Sequence, residues 1–272
     1  MDLYRDKTAL VTGASSGIGA AFAAELASVG AHLILVARSE DKLHALADRL
    51  ATQHAIRAEV IATDLSHADA AHNVFTEVQR RGLTVDILIN NAGFGTYGPF
   101  ETLDAEREQQ EIRLNVATLV DLTHRFLPPM VARRQGAIIN IASVAAYQPS
   151  PYAAVYGASK AFVLSFTEAL WGEYRTKGVR ILALSPGATS TEFFAVAGAQ
   201  GAVPGNMETP ETVVRVGLRA LEQGRPSVVS GRQNALLANL PRFFPRGFVV
   251  RLTLLALKQI ERSARSGRTK GA

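Results

Sequence analysis

From Lys7 to about Gly231 the chain alternates short apolar runs with helix-length stretches, and few architectures accept that order. The apolar runs, rich in β-branched residues, fall at Thr8–Val11, His32–Val36, Arg57–Ala62, Val85–Ile89, Ala137–Ile141, Arg180–Leu184 and Ser227–Val229. Helical patterns lie near 17–29, 40–53, 67–81, 104–132, 152–176 and 210–223. Strands in such an order close by right-handed crossovers, with helices covering the sheet on both sides. The prediction is an α/β chain: a doubly wound parallel sheet of about seven strands, helices on both faces and a helical C-terminal extension. Thr209-Pro210-Glu211 reads as a helix start, with an N-cap, a proline at the first position and an acid in the first turn. Ser39-Glu40-Asp41 reads as a similar start after the second strand.

A chain of 272 residues is long enough for one such domain, and no repeat or linker divides residues 1–240. With no cysteine, disulfides and thiolate metal sites are excluded. The six histidines form no ligand spacing, so no metal site is expected. Neither a secretory signal nor a run approaching the ~20 apolar residues of a membrane span is read, and a cytoplasmic location is expected. The net charge is +5, yet residues from Pro241 onward carry +7 and the remainder −2. The basic character belongs to the tail, and the body is not expected to bind nucleic acid.

Thr12-Gly13-Ala14-Ser15-Ser16-Gly17-Ile18-Gly19 joins the first strand to the first helix. Free N–H groups and the positive end of a helix dipole would meet a diphosphate there. Gly13 permits the turn, Gly17 lets a ligand approach the backbone, and Gly19 lets helix and strand pack closely. The same residues also match GxSxG, the nucleophile elbow of α/β-hydrolases. That reading fails on chain order: only one strand precedes the motif, and the last histidine is His124, too early for a triad.

Tyr156 and Lys160 stand four apart in a helical pattern and so share a face. A tyrosine acting near neutral pH must be lowered by about 3 units from its usual value near 10. A neighbouring ammonium, together with an oxidised nicotinamide, has the right sign. Ser143 ends the fifth strand, where its hydroxyl could hold a substrate oxygen.

With these motifs the chain resembles the short-chain dehydrogenase/reductase family in its single-domain form, from about Lys7 to Gly231. The resemblance also rests on Asp64, Asn90-Asn91-Ala92-Gly93, Asn115, and Pro186-Gly187 followed by Thr191. It implies a Rossmann-like sheet and NAD(P)-dependent carbonyl–alcohol interconversion. By that resemblance Tyr156 is the proton donor or acceptor, while Lys160 holds the nicotinamide ribose and lowers the tyrosine pKa. Ser143 orients the substrate oxygen, and Asn115 organises a water relay behind Lys160. Gly13, Ser15, Ser16, Gly17, Ile18 and Gly19 would cradle the diphosphate, and Asp64 and Leu65 would meet the adenine. Asn91, Ala92 and Gly93 would line the cofactor, and Pro186, Gly187, Thr189 and Thr191 would contact the nicotinamide and its carboxamide. A homodimer or homotetramer through the helices near 104–132 and 152–176 is also implied.

Ala37 occupies the position after the second strand where an NAD site usually carries an acid, and Arg38 follows it. Arg38 can pair with a 2′-phosphate, so NADP(H) is expected in preference to NAD(H). Aromatics in 94–100, 144–152 and 189–207 suit a small apolar carbonyl or alcohol as substrate. Residues 241–272 read as a basic amphipathic helical extension with a disordered end. Arg251, Lys258, Arg262 and Arg265 share one helical face, which fits either a helix packed on the body or a neighbouring subunit with its basic residues solvated, or peripheral contact with an anionic membrane. The alternative to an enzyme is a non-catalytic NADP-binding regulatory or membrane-surface interaction protein.

Overall fold

The computed structural model describes residues 3–199 and 207–255. Seven parallel strands form one sheet in the order β3-β2-β1-β4-β5-β6-β7. They are β1 (Thr8–Thr12), β2 (His32–Ala37), β3 (Ala58–Ala62), β4 (Ile87–Asn90), β5 (Gly136–Ile141), β6 (Val179–Ser185) and β7 (Ser227–Val229). The predicted doubly wound sheet is the observed one, with each boundary within two residues of its sequence reading.

The central strands are mostly apolar because both of their faces are buried, whereas the outer β3 and β7 are only partly covered. In β2, Leu33 and Leu35 enter one core with Val11 and Phe22. Ile34 and Val36 enter the other with Leu10, Leu88 and Ile138. The first core lies under α1 (Gly17–Ser28), α2 (Glu40–His54) and α8 (Pro210–Glu222). The second lies under α3 (Ala70–Arg80) and α5 (Leu119–Ala132).

The Thr209 side chain caps α8, accepting from the Thr212 amide at 3.3 Å. Ser39 precedes α2 as expected, but its side chain makes no capping bond. The helix read over 104–132 is three pieces: α4 (Ala105–Ile112), a π-helical turn over Arg113–Thr118, and α5. A long helix, α6 (Ala154–Tyr174), runs between β5 and β6. The loop after β6 holds a short helix, α7 (Phe193–Val196), and the chain closes with α9 (Arg232–Asn239) and α10 over 246–255. Lys258, Arg262 and Arg265 of the expected basic face lie outside the described residues.

The chain leaves β1 toward β2 and β3, then crosses back to β4 on the other side of β1. The carboxyl ends of β1 and β4 therefore border the crevice where open α/β sheets take ligands.

Candidate active site

At that crevice Thr12 is a hub. Its hydroxyl donates to the Ile89 carbonyl and accepts from the amides of Asn91 at 2.9 Å and Ala92 at 3.0 Å. Asn91 Nδ2 returns a bond to the Thr12 carbonyl at 2.9 Å. The two strand ends are thus pinned together, and Gly13 turns away with φ +64°. A Cβ on Gly19 would sit 2.2 Å from the Gly13 carbonyl oxygen, so the helix can approach this closely only without one. Gly17, at φ +55°, faces Thr191, whose Cγ2 would be 2.9 Å from an added Cβ.

The start of α1 has no side-chain cap and no acid in its first turn. Its positive end is thereby left to an external anion, which fits a diphosphate running past Ser15, Ser16, Gly17 and Ile18. A cavity of about 670 Å³ opens on the outer side of this turn, between Ser16, Gly17, Thr191 and the start of α8. None of Ser143, Tyr156 or Lys160 lines it, so it borders the Gly13–Gly19 turn rather than the Tyr156 cluster.

At the other end of the crevice Arg38 extends beside Asp64, Nη1 to Oδ2 3.8 Å, with three quarters of its side chain exposed. Partial burial opposes the Asp64 charge, but two bonds from Ser66 and the Arg38 guanidinium outweigh it and hold the carboxyl below its usual range. Leu65 is buried, and its carbonyl accepts from Thr118 at 2.8 Å.

Ser143, Tyr156, Lys160, Asn115 and Gly93 come together above β4 and β5. Ser143 precedes the 144–147 turn and accepts from the Ala145 amide at 3.1 Å. Its side chain stands close enough to the Tyr156 hydroxyl to lower the phenol pKa. Lys160 is buried and donates to the Ile141 carbonyl at 2.8 Å. Asn115 lies inside the π turn, where its amide donates to Phe94 O at 2.9 Å and Ser159 Oγ at 3.1 Å and its oxygen accepts from Phe94 N at 3.2 Å. A Cβ on Gly93 would meet Asn115 Oδ1 at 2.8 Å and Lys160 Nζ at 3.5 Å, so the cradle is open only to glycine. Below, Asn90 bonds Thr123 and Asn140, and Asn140 bonds Thr167 of α6, which fixes the height of that helix over the sheet.

The pKa of Tyr156 moves opposite to the sequence-based expectation. Burial pushes its phenol up to about 12; Ser143 pulls it down, and the Glu111 charge adds to the rise. Lys160 stands near, its Nζ donating to Ile141 and 5.8 Å from the Tyr156 ring centre, and burial still dominates. Burial brings Lys160 itself down to about 8, against the opposing pull of Glu111.

Glu111, with Glu108 and Thr96, is the part of the site that sequence reasoning missed. Both carboxyls are buried, and each has one oxygen without a hydrogen-bond partner. The Thr96 hydroxyl donates to Glu108 and lies 2.9 Å from Glu111 Oε2. One hydroxyl has one hydrogen, so keeping both bonds needs a proton on one of the two carboxyls. Desolvation, assisted by the Glu108 charge, raises Glu111 to about 7.

Pro186 is buried beside Ser143, its carbonyl accepting from the Val144 amide at 3.0 Å. Thr189 accompanies it, its hydroxyl donating to Gly187 O at 3.0 Å. Phe193 lies over Tyr156 with ring centres 5.1 Å apart. The segment carrying it is closed at its base: Ser190 N donates to Glu208 O, and Glu208 N to Ala188 O, both at 2.9 Å.

Residues 7–201 match the family model described as short chain dehydrogenase. A very-long-chain 3-oxoacyl-CoA reductase of Anas platyrhynchos is 30% identical over 93% of this chain and 80% of its own length. A hydroxysteroid dehydrogenase-like protein 1 of Gallus gallus is 37% identical over 65% of this chain, which spans about half, 54%, of that relative. Among solved structures, a short-chain dehydrogenase from Sphingobium yanoikuyae in complex with NADPH superposes with a TM-score of 0.79. It is 31% identical, over 98% of this chain and 96% of its own.

Proposed function

The chain belongs to the short-chain dehydrogenase/reductase family, and from that premise we propose an NADP(H)-dependent oxidoreductase that interconverts an apolar ketone and a secondary alcohol. The observation that carries the reading is the Tyr156 hydroxyl beside Ser143, with Lys160 buried behind it. NADP(H) is the cofactor in this reading. Solved relatives hold NADPH or NADP, and here Arg38 stands where a 2′-phosphate would need a cation.

When bound, NADPH supplies a hydride to the carbonyl carbon. The protein does the rest. Ser143 donates a hydrogen bond to the substrate oxygen, and Tyr156 gives that oxygen its proton as negative charge develops. Lys160 holds the ribose hydroxyls, and Asn115 keeps the 93–94 backbone and Ser159 in place around it. A phenol pushed toward its neutral form carries the proton that the reduction needs.

Phe94, Tyr97, Tyr152 and Phe193 border the mouth, and relatives named for 3-oxoacyl-CoA and hydroxysteroid conversions agree with an apolar substrate. Residues 1–240 form the catalytic unit in this reading and 241–272 an extension. A homodimer or homotetramer through α4–α6 is supported by exposed Ile112 on α4 and exposed Phe162 stacked on Phe166. The location is cytoplasmic, with peripheral membrane contact; among the described residues no helix is long and apolar enough to cross a membrane.

The test is NADPH consumption across aliphatic, aryl and steroidal ketones and 3-oxoacyl thioesters. Saturable NADPH binding with no consumption anywhere in the panel would replace this reading by the non-catalytic regulator.

A further inference from the structure

The described surface exposes fourteen large hydrophobic side chains, and nine of them lie between Leu236 and Leu255. Leu236, Leu240 and Phe243 follow one another at i, i+4 and i+7 and are 69%, 41% and 81% exposed. On α10, Phe248, Leu252 and Leu255 repeat that spacing on the outer face, while Val249 is buried against the body. Phe244 extends the stripe, its ring 5.3 Å from that of Phe248. Scattered apolar residues are ordinary on a surface; a continuous pair of stripes is not.

The charge on the same stretch has one sign. No acid occurs between Glu222 and Glu261, whereas Arg232, Arg242, Arg246 and Arg251 interleave the apolar positions. A second copy docked by a twofold axis through this face would set arginines against arginines with no carboxylate to relieve them. An anionic bilayer surface supplies what the face lacks: negative headgroups for the arginines and an acyl boundary for the phenylalanines and leucines.

We infer that residues 232–255 form a docking face for an anionic lipid surface, set beside the mouth of the active site. Its position follows from packing. α9 contacts the 144–147 turn, and Asn234 stands where a Cβ on Gly187 would have to go. Arg242 is near enough for its charge to act on the Tyr147 hydroxyl. A docked molecule therefore turns its substrate mouth toward the bilayer. The substrate class is then a membrane-dissolved ketone or alcohol, a consequence that rests on the oxidoreductase reading, whereas the docking itself does not.

Flotation of the full chain with phosphatidylcholine vesicles, with and without phosphatidylglycerol, tests this. The chain should float with the anionic vesicles at low salt and be released at high salt. Replacing Arg242, Arg246 and Arg251 by Glu one at a time should cost at least about fivefold in affinity each. The triple variant F243S/F248S/L252S should stay unbound while binding NADPH as the wild type does. Wild type that ignores anionic vesicles at low salt, or a serine variant that floats equally well, overturns the proposal. So does a wild type that stays unbound while the serine variant changes sedimentation coefficient, because the face then joins subunits. A chain that floats as described but reduces no ketone leaves the docking standing and removes only the oxidoreductase reading.

Discussion

Asn115 Nδ2 donates to Ser159 Oγ at 3.1 Å and so fastens the π-helical turn to the helix that bears Tyr156 and Lys160. Ser159 in turn donates to the Tyr156 carbonyl at 2.8 Å. The same amide group serves both backbone groups of Phe94. One buried side chain thus sets the distance between three segments.

Asn115→Ala leaves those partners without their bonds in a buried place. Stability should fall by about 2–4 kcal/mol, read as a lower urea midpoint with unchanged slope. A loss below about 0.5 kcal/mol would mean that water replaces the side chain at no cost, and the tether would carry no weight.

Tyr156→Phe removes the proton and keeps the ring against Phe193. Turnover with the best ketone found should drop by about a hundredfold or more, and NADPH affinity from fluorescence titration should stay within about twofold. Retained turnover would take the proton-transfer role away from Tyr156.

Arg38→Ala removes the cation beside Asp64 at the adenine end. The ratio of kcat/KM for NADPH over NADH should fall by about tenfold to a hundredfold. An unchanged ratio would sink the 2′-phosphate assignment.

Glu111 has a raised folded-state pKa, so its sign is that of a buried acid. Its favourable protonated form is fully present below the unfolded value of 4.5 and is lost as pH rises through about 7. Glu111→Gln should therefore gain stability on wild type between about pH 4.5 and pH 8.5, by up to about 3 kcal/mol. Urea unfolding at the two pH values measures it. A difference that does not change with pH would show that no proton is gained on folding.

The sheet was legible because its central strands, such as Leu33–Val36 and Ile87–Ile89, are buried on both faces and read as short apolar runs. Thr12–Gly19 and the Tyr156–Lys160 spacing were legible because backbone turns and helix faces have fixed periods. The break at Arg113–Thr118 was not. No proline or glycine marks it, and the turn is held by Asn115 reaching a loop twenty-one residues earlier. Glu108 and Glu111 sit in Ala105–Ile112, which reads as a solvated charged stretch until Thr96 is folded onto it. The direction of the Tyr156 shift escaped for a similar reason: four-residue spacing says that Lys160 is near, not how far folding strips water from the phenol.

The bridge between residues 188–190 and Glu208 joins the two ends of the segment over Tyr156. Among its described residues, 191–199 add no strand to the sheet and meet the body through side chains, as where Phe193 lies on Tyr156 and Arg107 donates to the Val196 carbonyl at 3.1 Å. Such a segment is a cassette. Exchanging it whole should change substrate preference in a ketone panel while the sheet, the glycine turn and the Tyr156–Lys160 pair stay as they are.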